Sequence, residues 1–149
     1  MTLSKEEAEA LYAARKRLGE ASIQWDPPKN KHTSYTVRLP VYVESDDTEL
    51  LVVGWWVREE GLFGFSLQFR GQAIRMWDDH GRRQRRKSGG VRGSHKHPYD
   101  PEDPTGGGPP YEAPDITERN PTRAMIQFLR ECNVNTSGIA HQDPLRADQ

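Results

Sequence analysis

The chain has 149 residues, 34% of them hydrophobic, with 21 Lys and Arg against 22 Asp and Glu for a formal charge of −1. This length fits one domain of the usual ~100–150 residues, and the apolar share falls below the roughly 45–50% of globular chains, a figure that counts Gly. No run reaches the ~18–20 apolar residues of a membrane span. The polar, acidic start at residues 1–7 lacks the basic-then-apolar order of a signal peptide. The single cysteine, Cys132, excludes an intrachain disulfide and a thiolate zinc site. A small buried role suits it better than a nucleophilic one, and a cytoplasmic setting with no membrane partner is the expectation.

The near-zero charge hides a strong asymmetry. Residues 75–97 hold eight Lys and Arg against two acids, a local balance of +6, which leaves 13 against 20 in the rest. The predicted elements place that segment between a sheet and a final helix.

Ser4 and Glu7 form a capping box for a first helix. Leu3, Ala8, Leu11, Ala14 and Leu18 make its apolar stripe, with Gly19 as the stop. After a break at residues 26–30, Tyr35, Val37, Leu39, Val41 and Val43 alternate with polar residues as a strand. Pro40 cannot donate to a ladder, which predicts an edge position. Residues 50–57, nearly all apolar, predict a central strand covered on both faces. Phe63, Phe65, Leu67 and Phe69 predict a third strand. Residues 73–78 predict a fourth, with Ile74 and Met76 on one face and Arg75 and Trp77 on the other.

Residues 79–110 then read as a long basic loop, beyond the ~12–15 residues at which a structureless connection becomes suspect. Within it, Gly106-Gly107-Gly108-Pro109-Pro110 reads as a spacer. Tyr111 to Pro114 returns briefly to extended chain. Asn120 caps, and Pro121 opens, a last helix with Met125, Phe128, Leu129 and Cys132 on its apolar side. Residues 136–149 read as a frayed polar tail. The expected fold is α+β: an antiparallel meander of four to five strands with an N-terminal and a C-terminal helix packed on it, in one domain over residues 1–135.

Three of the five histidines, His80, His95 and His97, fall within 18 residues, after the pair Asp78-Asp79. Two chemistries fit. In metal-free phosphodiester cleavage, His95 and His97 act as general base and general acid near neutral pH while Asp78 or Asp79 orients a ring. Lys96, Arg92 or Arg75 then stabilises charge developing on phosphorus, and no cofactor is required. In metal binding, residues two apart on extended chain point the same way, so His95 and His97 share an ion that His80 and Asp78 complete. Oxygen and nitrogen donors without thiolate suit zinc, manganese or nickel. A solvated His-X-His loop is the plain alternative.

Arg82, Arg83, Arg85, Arg86 and Lys87 put five cations into six residues. With Arg75 and Arg92 they suggest capture of nucleic acid, and such a charge run does not distinguish RNA from DNA. An acidic protein partner, or a homodimer that uses the 20 acids elsewhere, is the competing use of the same charge.

The order of these strings carries a resemblance. Ile74-Arg75-Met76-Trp77-Asp78, then Gly93-Ser94-His95-Lys96-His97, then Pro110-Tyr111-Glu112 and a short amphipathic helix resemble the TumE-like family, the toxin half of small bacterial and archaeal toxin–antitoxin modules. The likeness spans residues 35–134, with Met76 inserted before the aromatic residue and Ser94 where the family usually has an acid. It implies a cytoplasmic, toxin-like protein directed at RNA or translation, neutralised by a cognate antitoxin.

Overall fold

The structure, a computed structural model, describes residues 1–29, 34–79 and 94–141. Helix α1 (Lys5–Ala13) is held at its start by the expected capping box: Glu7 N–H donates to Ser4 Oγ and Ser4 N–H to the Glu7 carboxylate. It ends six residues before Gly19, because Ala14 is already extended and the chain enters strand β1 (Lys16–Leu18). The agent of this early stop is Lys16. Its buried ammonium donates to the carbonyls of Tyr12, Ala14 and Cys132 at 2.8, 2.7 and 2.6 Å. Those carbonyls lie at the ends of both helices, where helical partners run out. Burial lowers the Lys16 pKa to about 8.

Strand β2 (Ser22–Ile23) precedes the meander of β3 (Ser34–Val43), β4 (Glu49–Val57), β5 (Leu62–Phe69) and β6 (Gln72–Asp79). The sheet continues through β7 (Ser94–Pro98) and β8 (Tyr111–Glu112). After helix α2 (Pro121–Glu131) come β9 (Val134–Asn135) and β10 (Ala140–His141). The order across the main sheet is β8-β7-β6-β5-β4-β3-β1-β9, and β2 pairs separately with β10. Within the main sheet all pairings are antiparallel except β1 with β9. The α+β class therefore holds, with more strands than the four or five expected.

Four expectations need correction. The Pro40 strand is interior, lying between β4 and β1. Pro40 is tolerated because its backbone faces the β1 side just past the end of that short strand, where its carbonyl accepts from Gly19 N–H at 2.8 Å. The β4 strand is central, yet only Leu50, Val52, Gly54 and Trp56 are buried, while Leu51, Val53, Trp55 and Val57 on the other face are half-exposed. The stretch read as one loop over 79–110 contains β7, and the stretch read as a tail returns to pair Ala140 with Ser22.

Cross-strand register assigns the two faces. Tyr35, Val37 and Leu39 stand opposite Trp56, Gly54 and Val52, which in turn stand opposite Phe63, Phe65 and Leu67. This inner face meets α2, where Phe128 stacks on Phe65 with centroids 5.7 Å apart and meets Trp77 edge-on at 5.3 Å. Burial of one such side chain contributes roughly 1.5–3 kcal/mol. Helix α2 starts as expected, with the Asn120 side chain accepting from the N–H groups of Thr122 and Arg123. Helix α1 packs on the same face through Tyr12, whose ring lies 3.9 Å under the Arg75 guanidinium. Among the described residues, no helix is long and apolar enough to cross a membrane.

Candidate metal centre

The antiparallel pairing of β6 with β7 sets Asp78 opposite His95 and Met76 opposite His97. Because side chains alternate along a strand, Asp78, His95 and His97 share the outer face, away from the helices. Their donor atoms converge: one ligand atom from each lies within 4.8 Å of the others. His97 Nε2 is 3.1 Å, and His95 Nε2 3.6 Å, from the same carboxylate oxygen, Asp78 Oδ2. The two imidazoles meet edge-on with centroids 4.9 Å apart. His95 is buried, and the side chains of Asp78 and His97 are only 10% and 13% exposed.

Two glycines shape this site. Gly107, at φ +79°, lies against His97 and Met76; a Cβ there would sit 3.1 Å from both His97 Cβ and Met76 Sδ. Its neighbour Gly108 places its carbonyl 2.8 Å from His97 Nδ1. The stretch read as a mere spacer therefore orients an imidazole. A ring nitrogen donating to a backbone carbonyl fixes the tautomer and turns the other nitrogen toward an ion, as in many metal sites. Gly64, opposite Asp78, leaves room for the Trp55 indole and the Asp78 carboxylate. A Cβ there would lie 2.5 Å from Trp55 Nε1 and 2.7 Å from Asp78 Oδ1.

Burial opposes a charged His97 ring, but donation to Asp78 and to Gly108, with the Asp78 charge, outweighs it and raises the pKa above 6.5. A proton on His97 is one way to satisfy three electron-pair donors aimed at one place, and a divalent cation is the other. The two-histidine, one-carboxylate set suits zinc or manganese and is also the donor set of non-haem iron sites. A divalent ion fits these residues.

Lys96 and Arg75 do not join this group. Both lie on the inner face, where Lys96 forms ion pairs with Asp115 at 2.7 Å and with Glu131, and lies 5.0 Å from the Trp77 ring centroid. Trp77 Nε1–H donates to Glu131 at 2.6 Å. Burial works to lower the Lys96 pKa, but hydrogen bonds to the two acids leave it raised, so this ammonium is a structural cation. Arg75 donates to the Tyr111 hydroxyl at 3.2 Å and faces Glu9 at 3.7 Å. Asp79 also points inward, to Ser94 Oγ at 3.1 Å and to Arg119. His80, Arg82, Arg83, Arg85, Arg86, Lys87 and Arg92 lie outside the described residues. Cys132 is fully buried, and burial pushes its thiol up to about 12, in keeping with a packing role.

Gly107, Gly108, Gly64 and Trp55 carried no signal in sequence, because their part in the site depends on register and on a distant loop. Compared with family models, curated proteins and solved structures, the chain matches none.

Proposed function

We propose that this protein is a metal-dependent phosphodiester hydrolase acting on RNA, centred on Asp78, His95 and His97. The convergence of those three donor sets within 4.8 Å carries the reading. An ion held there supplies a water of lowered pKa and charge neutralisation at a phosphate. The chain's own groups do the rest: His95 and His97 present Nε2, Gly108 holds the His97 ring, and Asp78 supplies the anionic donor.

The substrate class rests on sequence position. Asp79 and Ser94 are register partners beside the centre, and the residues joining them contain the five cations of 82–87. That charge suits a polyanion. The toxin-like role, the cytoplasmic setting and a cognate antitoxin rest on the TumE-like resemblance. In its support, Ile74–Asp78, Ser94–His97 and Tyr111–Glu112 of the strings that carry the resemblance fall on the neighbouring strands β6, β7 and β8.

Zinc, manganese and iron analysis of the purified chain, then cleavage of a labelled RNA before and after chelation, tests the reading. One ion per chain and cleavage that chelation abolishes is the expected result. A second reading is favoured by the 3.1 Å Asp78–His97 contact and the raised His97 pKa: metal-free cleavage with His97 as general acid. Full cleavage in chelator selects it.

A further inference from the structure

The outer face of the sheet extends well beyond the metal centre. Following the register, Arg38 stands opposite Val53, Val53 opposite Ser66, Ser66 opposite Met76, and Met76 opposite His97. These five side chains form one row across five strands, about 19 Å from end to end at ~4.8 Å per strand. The neighbouring row is Thr36, Trp55, Gly64, Asp78 and His95. The helices cover only the opposite face.

Three properties of this surface point to the same ligand. The Trp55 indole is half-exposed and lies over Gly64 directly beside the Asp78 carboxylate, an aromatic ring next to the proposed reaction centre. Val53, half-exposed beside Trp55 on β4 and opposite Arg38 on β3, gives a partly apolar floor between Trp55 and the Arg38 end of the row, while Met76 lies the other way, toward His97 and against Gly107. The Arg38 end is cationic: exposed Arg38 and Arg70 line a groove of about 660 Å³ that opens beside Leu51 and Gln68, with Glu49 and Thr48 on its rim. An aromatic platform with a cation further along a shallow track suits a strand whose bases are unpaired. A duplex hides its base faces, and an acidic peptide has no π-face to stack.

We propose that this outer sheet face is the substrate track of the centre: it binds single-stranded RNA, with a base stacked on Trp55 and a phosphate further along the strand paired with Arg38. The proposal rests on the phosphodiesterase reading and extends it to the substrate's form.

The test uses the full chain in chelator, so that nothing is cleaved. Binding of a fluorescein-labelled eight-nucleotide oligouridylate is compared with that of an eight-base-pair RNA duplex and an octa-aspartate peptide. The single strand is expected to bind at least ~10-fold tighter than either competitor and to quench tryptophan fluorescence. Arg38→Gln, a change at an exposed position, is expected to reduce the salt slope of single-strand binding by about 0.7, the value of one phosphate contact. Trp55→Leu is expected to weaken it about 5–150-fold. Equal binding of duplex or peptide, or an unchanged affinity and salt slope in Arg38→Gln, overturns the track. The centre is judged separately, by hydrolysis of bis(4-nitrophenyl) phosphate by the metal-loaded wild-type chain, since that diester is too small to reach Arg38. Hydrolysis without single-strand preference sinks the track alone. Single-strand preference without hydrolysis sinks the centre and leaves the track as a binding surface.

Discussion

Strands β6 and β7 bury polar groups on both of their faces, and the two groups differ in kind. On the inner face, the Lys96 ammonium sits between the Asp115 and Glu131 carboxylates, and Trp77 adds a donor to Glu131. Each charged group there has a partner of opposite sign, so the cluster holds together without any ligand. On the outer face, two imidazoles and one carboxylate turn toward a common point, an arrangement that can hold a proton or a cation. A buried ion pair ties elements together once its charges are matched. A convergent set of donors stores an affinity. The alternation of a single strand separates these two uses, with Lys96 on one side and His95 and His97 on the other.

The sharpest way to break the comparison is to remove the outer donors. His95→Ala/His97→Ala is expected to lower zinc or manganese affinity more than about 100-fold, since even outer-shell changes in metal sites cost about 10–100-fold. The chain should stay folded, as read by circular dichroism and isothermal titration. In cells where the wild-type chain inhibits growth, the same variant should be harmless; full toxicity would detach the toxin-like role from this centre.

The mirror experiment acts on the inner face. Lys96→Met leaves Glu131 without its cation, next to Trp77, while the more exposed Asp115 returns to water. A loss of about 2–3 kcal/mol is expected from the urea midpoint, below the ~3–5 kcal/mol for breaking a fully buried pair. The stoichiometry of metal binding should remain one ion per chain. If Lys96→Met instead removed the ion while stability held, the assignment of the two faces would be reversed.

A smaller effect is expected at the support of the His97 ring. Gly107→Ala forces a side chain into a left-handed backbone position and against His97 and Met76. About 1 kcal/mol of stability should be lost, with metal affinity falling by about 10-fold as the Gly108 carbonyl shifts.

These contrasts show which features could be read from sequence. The capping box at Ser4 and Glu7, the Asn120-Pro121 start of α2 and the alternation of β3 are local patterns and appear where expected, and β5 also forms where expected, though Phe63 through Leu67 are all buried and Phe69 is only half-buried. β7 was hidden because Ser94-His95-Lys96-His97-Pro98 has no apolar residue with which to show a period of two. Once its strand character is known, that same period sends Lys96 away from the histidines. The grouping of His95, His97 and Asp78 was legible from residue type and spacing. The hold of Gly108 on His97, the nearness of Trp55 to Asp78 and the capping of both helices by Lys16 depend on pairings far apart in the chain. The two- and three-residue strands β1, β2, β9 and β10 are likewise too short to have a pattern of their own and exist through their partners.

The subtlest difference between the faces is their response to pH. In metal-free protein the folded-state pKa of His97 lies above its unfolded value of 6.5. Its imidazolium therefore contributes stability that is fully present below about pH 6.5 and is lost as pH rises through the folded-state value. The urea midpoint of the metal-free chain should fall across that interval. Metal competes for the same Nε2, so zinc affinity should climb over the same interval, with His97 releasing its proton as the ion binds. Asp78→Asn removes the charge and leaves one neutral, weaker amide acceptor in place of the carboxylate, so burial, the largest influence on this ring, is opposed mainly by Gly108. The His97 titration followed by NMR should then move downward, and the fall in stability above pH 6.5 should disappear. An unmoved titration in Asp78→Asn would mean that Gly108 alone holds the proton on His97, and Asp78 would lose its place as the third donor.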